Sequence, residues 1–189
     1  MKLQLIGLLC AIMMTGTLSA QHVNIGVKGG LNVYNVTNGN FSPRNGVHLG
    51  LLGHLHLTEN VGLQPEIYYS AQGGKFGNSG NTLNLDYVNV PVLLQYFFNN
   101  GFRLQAGPQL GVLMSANTVA GDTKVNVKND YKSIDIGLGV GGGYVHTPSG
   151  FGVDARYNLG LTNISENASN DFRNRGFQLG VFYLFDHKN

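Results

Sequence analysis

Charge is scarce in this sequence. Lys, Arg, Asp and Glu make up 12 per cent of its 189 residues, about half the usual quarter. A soluble domain of this size covers itself with roughly 25–35 per cent of such residues, so the composition argues against an ordinary cytosolic enzyme. The formal charge is only +2 and no basic cluster is present, which argues against a nucleic-acid binder. Cysteine occurs once, at Cys10. After the first twenty residues no apolar run approaches the roughly 20 residues that a membrane helix needs, so a helical bundle is not expected. Yet 42 per cent of the chain is hydrophobic, too much for a disordered one. Glycine is abundant: 28 residues, about 15 per cent against a usual share near 7 per cent. A β-barrel with lipid outside and a polar filling accommodates all of these features.

The first twenty residues read as a secretory signal peptide. Met1-Lys2 is a short positive start, Leu3 to Met14 an apolar stretch, Thr15-Gly16-Thr17 a break, and Leu18-Ser19-Ala20 a small-residue cleavage site before Gln21. Cys10 does not read as a lipid-anchor site, because Leu9 precedes it and the apolar run continues past it. Cleavage removes Lys2 and leaves 11 basic residues against 10 acidic ones. It also removes Cys10, so no disulfide framework holds the exported chain. Residues 21–189 are expected to form a single domain.

Beyond the signal the period is two. In Gly46 to Leu57, Val47, Leu49, Leu51, Leu55 and Leu57 alternate with Gly46, His48, Gly50, His54 and His56. Val23–Val33, Val61–Gln72, Phe102–Met114, Ile134–Tyr144, Phe151–Thr162 and Arg175–Phe185 follow the same rule, which is strand alternation. Leu85 to Phe98 alternates least well, and Pro91 within it predicts a bulge or kink, since proline donates no ladder hydrogen bond. Eight strands result. Three connections are short: Thr58–Asn60, Asn99–Gly101 and His146–Gly150. Four are longer and polar: Tyr34–Asn45, Gly73–Asn84, Ser115–Asp130 and Asn163–Asn174, the third with a hairpin tip at Ala120-Gly121-Asp122. The fold class is therefore all-β: an eight-stranded antiparallel up-and-down transmembrane β-barrel with short periplasmic turns and longer extracellular loops.

A soluble lipocalin-like barrel also alternates, with its apolar set lining a pocket. Its outer face would carry many Lys and Glu. Here the polar set is Gly, Asn, Gln and single charges, which suits the crowded interior of an eight-stranded barrel. The apolar set carries aromatic residues near strand ends, among them Tyr69, Tyr96, Phe98, Phe102, Tyr144, Phe151, Phe177, Tyr183 and Phe185. Such rings sit at bilayer interfaces. The apolar face is expected to meet lipid.

Gln21-His22-Val23-Asn24-Ile25-Gly26-Val27-Lys28-Gly29-Gly30-Leu31-Asn32 resembles the first strand of the PorT-like outer-membrane β-barrel proteins of Bacteroidetes-type bacteria. Leu85 to Leu94, with Tyr87 and Pro91, resembles that family's fourth strand, although Asn89 and Gln95 stand where the family more often has charge. Gly107-Pro108 with Gly111, and the aromatic ending Gly180 to Phe185, are also similar, with Asp186 to Asn189 following as a small departure. The resemblance implies an outer-membrane barrel exported from a Gram-negative cytoplasm and inserted by the assembly machinery. Only the namesake group is tied to protein secretion, and the family supplies no catalytic set.

Chemical motifs are weak. Gly137-Leu138-Gly139-Val140-Gly141-Gly142 fits a dinucleotide string but lacks the following helix that such a site requires. His54 and His56, with His48 on the same face and Glu66 on the neighbouring strand, form a possible metal set. The reading favoured over it is a hydrogen-bonded lumen network. No cofactor is expected, and no Ser-His-Asp arrangement supports an enzyme. Lys28, Glu66, Arg103, Asp154 and Arg156 fall on inward positions, most of them in the lower half. In a narrow low-dielectric lumen they must pair, so a plug of ion pairs is expected. The functional expectation is a structural or surface-interaction protein. Its partners would be outer-membrane lipid and lipopolysaccharide, with other envelope proteins possible. The alternatives are a subunit of a secretion machine, a small solute channel, or the lipocalin-like barrel. A long periplasmic extension would have favoured the machine, and none follows the eighth strand. Arg44, Lys75, Lys124, Lys128 and Arg173 in the outer loops could meet lipopolysaccharide phosphates, but solvated charge is the favoured reading.

Overall fold

The computed structural model describes residues 23–77 and 80–185. The expected signal peptide, Gln21-His22 and Asp186–Asn189 lie outside these residues. The strands are β1 (Val23–Thr37), β2 (Phe41–His56), β3 (Val61–Phe76), β4 (Thr82–Phe97), β5 (Phe102–Ala120), β6 (Thr123–Asn126), β7 (Ile134–His146), β8 (Phe151–Gly160) and β9 (Arg173–Leu184). All pairings are antiparallel; chain neighbours pair, except that β5 pairs with β7 past β6, and β9 returns to β1. This closes a barrel of eight strands. The ninth, β6, pairs only with the far end of β5.

Alternation decides which face is buried. Ile25, Leu49, Leu104 and Val181 are 57–68 per cent exposed on the outside. Their neighbours Asn24, His48, Arg103 and Asp154 are buried inside. An outer surface of bare Leu, Ile and Val around a filled polar interior requires a lipid solvent. At the chain-end side, Tyr96 with Phe98, Phe102 with Tyr144, and Tyr183 with both Phe151 and Phe185 form close ring pairs, centroids 4.7–5.4 Å apart. They make an aromatic girdle.

Two expectations need correction. Pro91 causes no bulge: the register between β3 and β4, and between β4 and β5, is the same on both sides of it. Toward β3 the ladder omits Val90 and Pro91 and then resumes, and toward β5 Pro91 still faces Gln109, because one missing donor costs less than refacing a whole strand. On β4 the register shift lies instead at Asp86/Tyr87, where Met114 is the extra residue of β5, and a second shift falls on β2 between Pro43 and His48. The first two long loops are mostly strand: β1 and β2 are joined by residues 38–40, and β3 and β4 by residues 77–81. Asn38 turns the first of these with a positive φ of 62°, a conformation that Asn tolerates better than most residues.

The strands continue past the membrane because their polarity inverts. On β1, Val33 is the last exposed apolar residue outside, and Tyr34 and Val36 are buried inside. On β4, Leu83, Leu85 and Tyr87 are buried inside, whereas below them the apolar residues Val88, Val90 and Val92 face outward. Where the surroundings change from lipid to water, the apolar set moves from the outer face to the inner one.

Candidate functional site: the sealed lumen

The inward charges of β1, β3 and β8 meet in one layer nearer the chain-end side. Glu66 is the centre. Arg156 donates two hydrogen bonds to it, at 2.7 and 3.0 Å. Lys28 Nζ donates at 3.1 Å and Gln64 Nε2 at 2.6 Å. Lys28 also lies 3.5 Å from Asp154. These side chains are essentially without solvent contact. A forked guanidinium on a carboxylate fixes geometry as well as charge.

Arg103 joins the layer differently from what was expected. Among the described residues it has no carboxylate within ion-pair distance. Instead its Nη1 donates to Gln64 Oε1 at 3.1 Å, and its guanidinium carbon lies 4.3 Å from the centre of the Phe182 ring. Phe182 lies over Gly152, where any side chain would strike the ring. The expected metal set separates as well. The register places Glu66 opposite Leu52, two residues from His54, and its oxygens are held by the cations. His54 and His56 meet each other, Nε2 to Nε2, at 3.2 Å. His48 Nδ1 is 2.7 Å from Asn32 Oδ1. Among the described residues no group of three His, Cys, Asp or Glu is placed to hold a metal.

Above the charges lies a neutral network. Tyr68 donates to Gln109 Oε1 at 2.8 Å, and its hydroxyl oxygen lies 3.3 Å from Gln178 Oε1. Gln178 donates to Asn32, and Asn32 to Ser70. Asn158 donates to Tyr34 at 2.8 Å. Above this network is an apolar cap that the residue pattern did not anticipate. Val36, Leu83, Leu85, Tyr87, Leu113, Ala116 and Ile164 pack there, joined by Phe41, Phe76, Val127, Tyr131 and Phe172. Ile164 reaches it from the polar loop between β8 and β9. That loop is held by Asn163 Oδ1, which accepts from Ser165 N and Phe172 N. It is tied to the segment before β7 by Lys132 N to Ile164 O and Glu166 N to Asp130 O. Burial pushes the Tyr131 hydroxyl above its usual pKa, and the Asp130 carboxylate adds to the effect. The signal for the cap was the run of inward Leu83, Leu85 and Tyr87 at the start of β4.

Of the loop cations, Arg44 donates to the Gln72 carbonyl and Arg173 pairs with Asp171 at 3.1 Å. Lys75 and Lys124 are exposed. The tip expected at Gly121-Asp122 is present, with Ala120 facing Thr123.

A closed antiparallel barrel with a bare apolar belt, an aromatic girdle and a filled core defines an integral outer-membrane β-barrel protein. The chain belongs to the outer membrane protein beta-barrel domain family, whose model matches residues 19–166. No curated protein matches in sequence. Among solved structures the chain is similar to Neisserial surface protein A (NspA), with 14% identity over 86% of this chain and 97% of that one and a TM-score of 0.59. It is also similar to Ail, the attachment invasion locus protein of Yersinia pestis, with 15% identity over 86% and 98% and a TM-score of 0.54. The protein is therefore placed in the outer membrane of a Gram-negative bacterium.

Proposed function

We propose that this barrel is a structural and surface-interaction protein, a sealed pillar that presents its outer ends and passes no solute. The observation that carries the reading is the lumen, filled by a dry ion-paired layer and closed again by the apolar cap. Two outer ends are built on defined contacts: the β5–β6 hairpin stands on paired strands, and the loop after β8 is anchored by Ile164. Rigid ends suit recognition, because less ordering entropy is lost on binding. Lipid and lipopolysaccharide are the expected surroundings, other envelope proteins the expected partners, and the role is non-catalytic. Membership of a PorT-like secretion machine rests on the sequence resemblance alone.

Two measurements test the reading. In planar bilayers the folded protein should show no steady conductance, and a steady nanosiemens-scale current would overturn it. Native purification in mild detergent should give a lone band that shifts on boiling. Stoichiometric companion bands would instead favour the machine subunit and name its partners.

A further inference from the structure

The chain-end mouth of the barrel carries a cluster that the lumen seal does not use. His54 and His56 are two apart on β2, so their side chains share the inner face. Their Nε2 atoms are 3.2 Å apart, and the ring planes cross at 84°. His54 is buried and His56 is exposed, so the pair is anchored on one side and open to the periplasm on the other. Phe97, from the end of β4, packs against both imidazoles at 5.2 and 5.1 Å. Gly62 leaves room for it: a Cβ there would stand 2.8 Å from Phe97 Cε2. One aromatic ring thus holds both imidazoles in place.

Two neutral imidazoles at this separation share one proton, which one Nε2 donates and the other accepts. A divalent cation can take its place when the donating ring carries its proton on Nδ1 instead, which frees both Nε2 lone pairs and keeps both rings neutral. Zinc binds imidazole nitrogen at about 2.0–2.1 Å, so two such ligands of a tetrahedral ion stand about 3.3 Å apart. We infer that His54 and His56 form a chelating pair for a first-row divalent ion that favours imidazole, such as zinc, nickel or copper. The remaining coordination positions face the periplasm and are filled by water or by a small ligand. Glu66 is not part of the site, since Arg156, Lys28 and Gln64 hold its carboxylate.

The test titrates the purified, folded, chelator-washed protein with zinc chloride in a calorimeter. One equivalent should bind. His54→Gln and His56→Gln should each weaken binding by about a hundredfold, because one donor alone loses the gain from intramolecular chelation. Zinc should also raise the Tm of the wild type and leave that of the variants unchanged. Heat-modified gel migration reports whether each variant folds. Were buried His54→Gln to misfold, exposed His56→Gln still decides the question. Equal zinc affinity in the wild type and folded His56→Gln, or no binding by the folded wild type, would overturn the inference.

Discussion

The lower lumen and the upper cap solve the same problem with opposite chemistry. Around Glu66 the interior is ionic and the exterior is Leu, Ile and Val. Around Leu85 the interior is Leu, Tyr and Phe, and the exterior includes Lys75 and Asp86. In the belt the hydrophobic effect has no preference for apolar residues inside, since lipid on the outside is equally apolar, and polar groups must satisfy one another within. Above the belt, water reverses the preference and an ordinary hydrophobic core forms inside the same eight strands. Stability in the lower zone should therefore depend on pairing, and in the upper zone on buried area.

The largest effect expected is from Glu66→Ala. It leaves Lys28 and Arg156 buried without their central carboxylate, at a cost of about 3–5 kcal/mol. Urea unfolding of the refolded barrel in vesicles measures it. A loss no larger than that of an outward Leu49→Ala control would show that water reaches the layer. Leu85→Ala should cost about 2–4 kcal/mol through lost transfer energy and a cavity in the cap. Its effect should be local: hydrogen exchange in residues 161–172 should accelerate while the lower strands keep their protection. The same exchange pattern from both variants would mean that the two zones unfold as one unit, and the comparison would fail. Gly152→Ala should cost about 1–3 kcal/mol by pressing on Phe182, which also supports Arg103. Replacing Phe182 by Leu in the same chain should recover part of that loss, and no recovery would remove the ring from the account.

Much of this was legible in the residue pattern, and the limits have physical causes. Period two gives strands, and the scarcity of outward charge gives lipid, so the barrel and its inward Lys28, Glu66, Asp154 and Arg156 follow from the sequence. Partners inside the barrel depend on tilt and stagger, which parity does not report. Arg103 therefore reads as inward, but its contacts with Gln64 and Phe182 do not emerge, and Glu66 is taken for a neighbour of His54. The cap has a partial signature. The change of phase from Val33 to Tyr34 and Val36, and from Leu83, Leu85 and Tyr87 to Val88, is present in the sequence and reads only as weak alternation. Ile164 and Phe172 lie in an Asn- and Ser-rich segment with no period, and only the folded loop turns them inward.

The smallest effect on stability, and the sharpest on the comparison, comes from labelling the outer face of β3. Ile67 and Lys75 are both exposed there, one on each side of the polarity switch. Spin labels at Ile67→Cys and Lys75→Cys replace surface groups and should change stability by no more than about 0.5 kcal/mol. Neither will meet a competing thiol, since Cys10 is the only cysteine in the sequence and lies in the expected signal peptide. In a bilayer the Ile67 label should relax faster with oxygen, which concentrates in lipid. The Lys75 label should relax faster with a water-soluble nickel chelate. Tyr69 lies between them and donates a 2.8 Å hydrogen bond to Asp86, a polar contact suited to the interface itself. If both labels report lipid, the belt extends over the cap and polarity does not follow the solvent. If they divide as expected, the change of phase along each strand marks the height of the membrane surface.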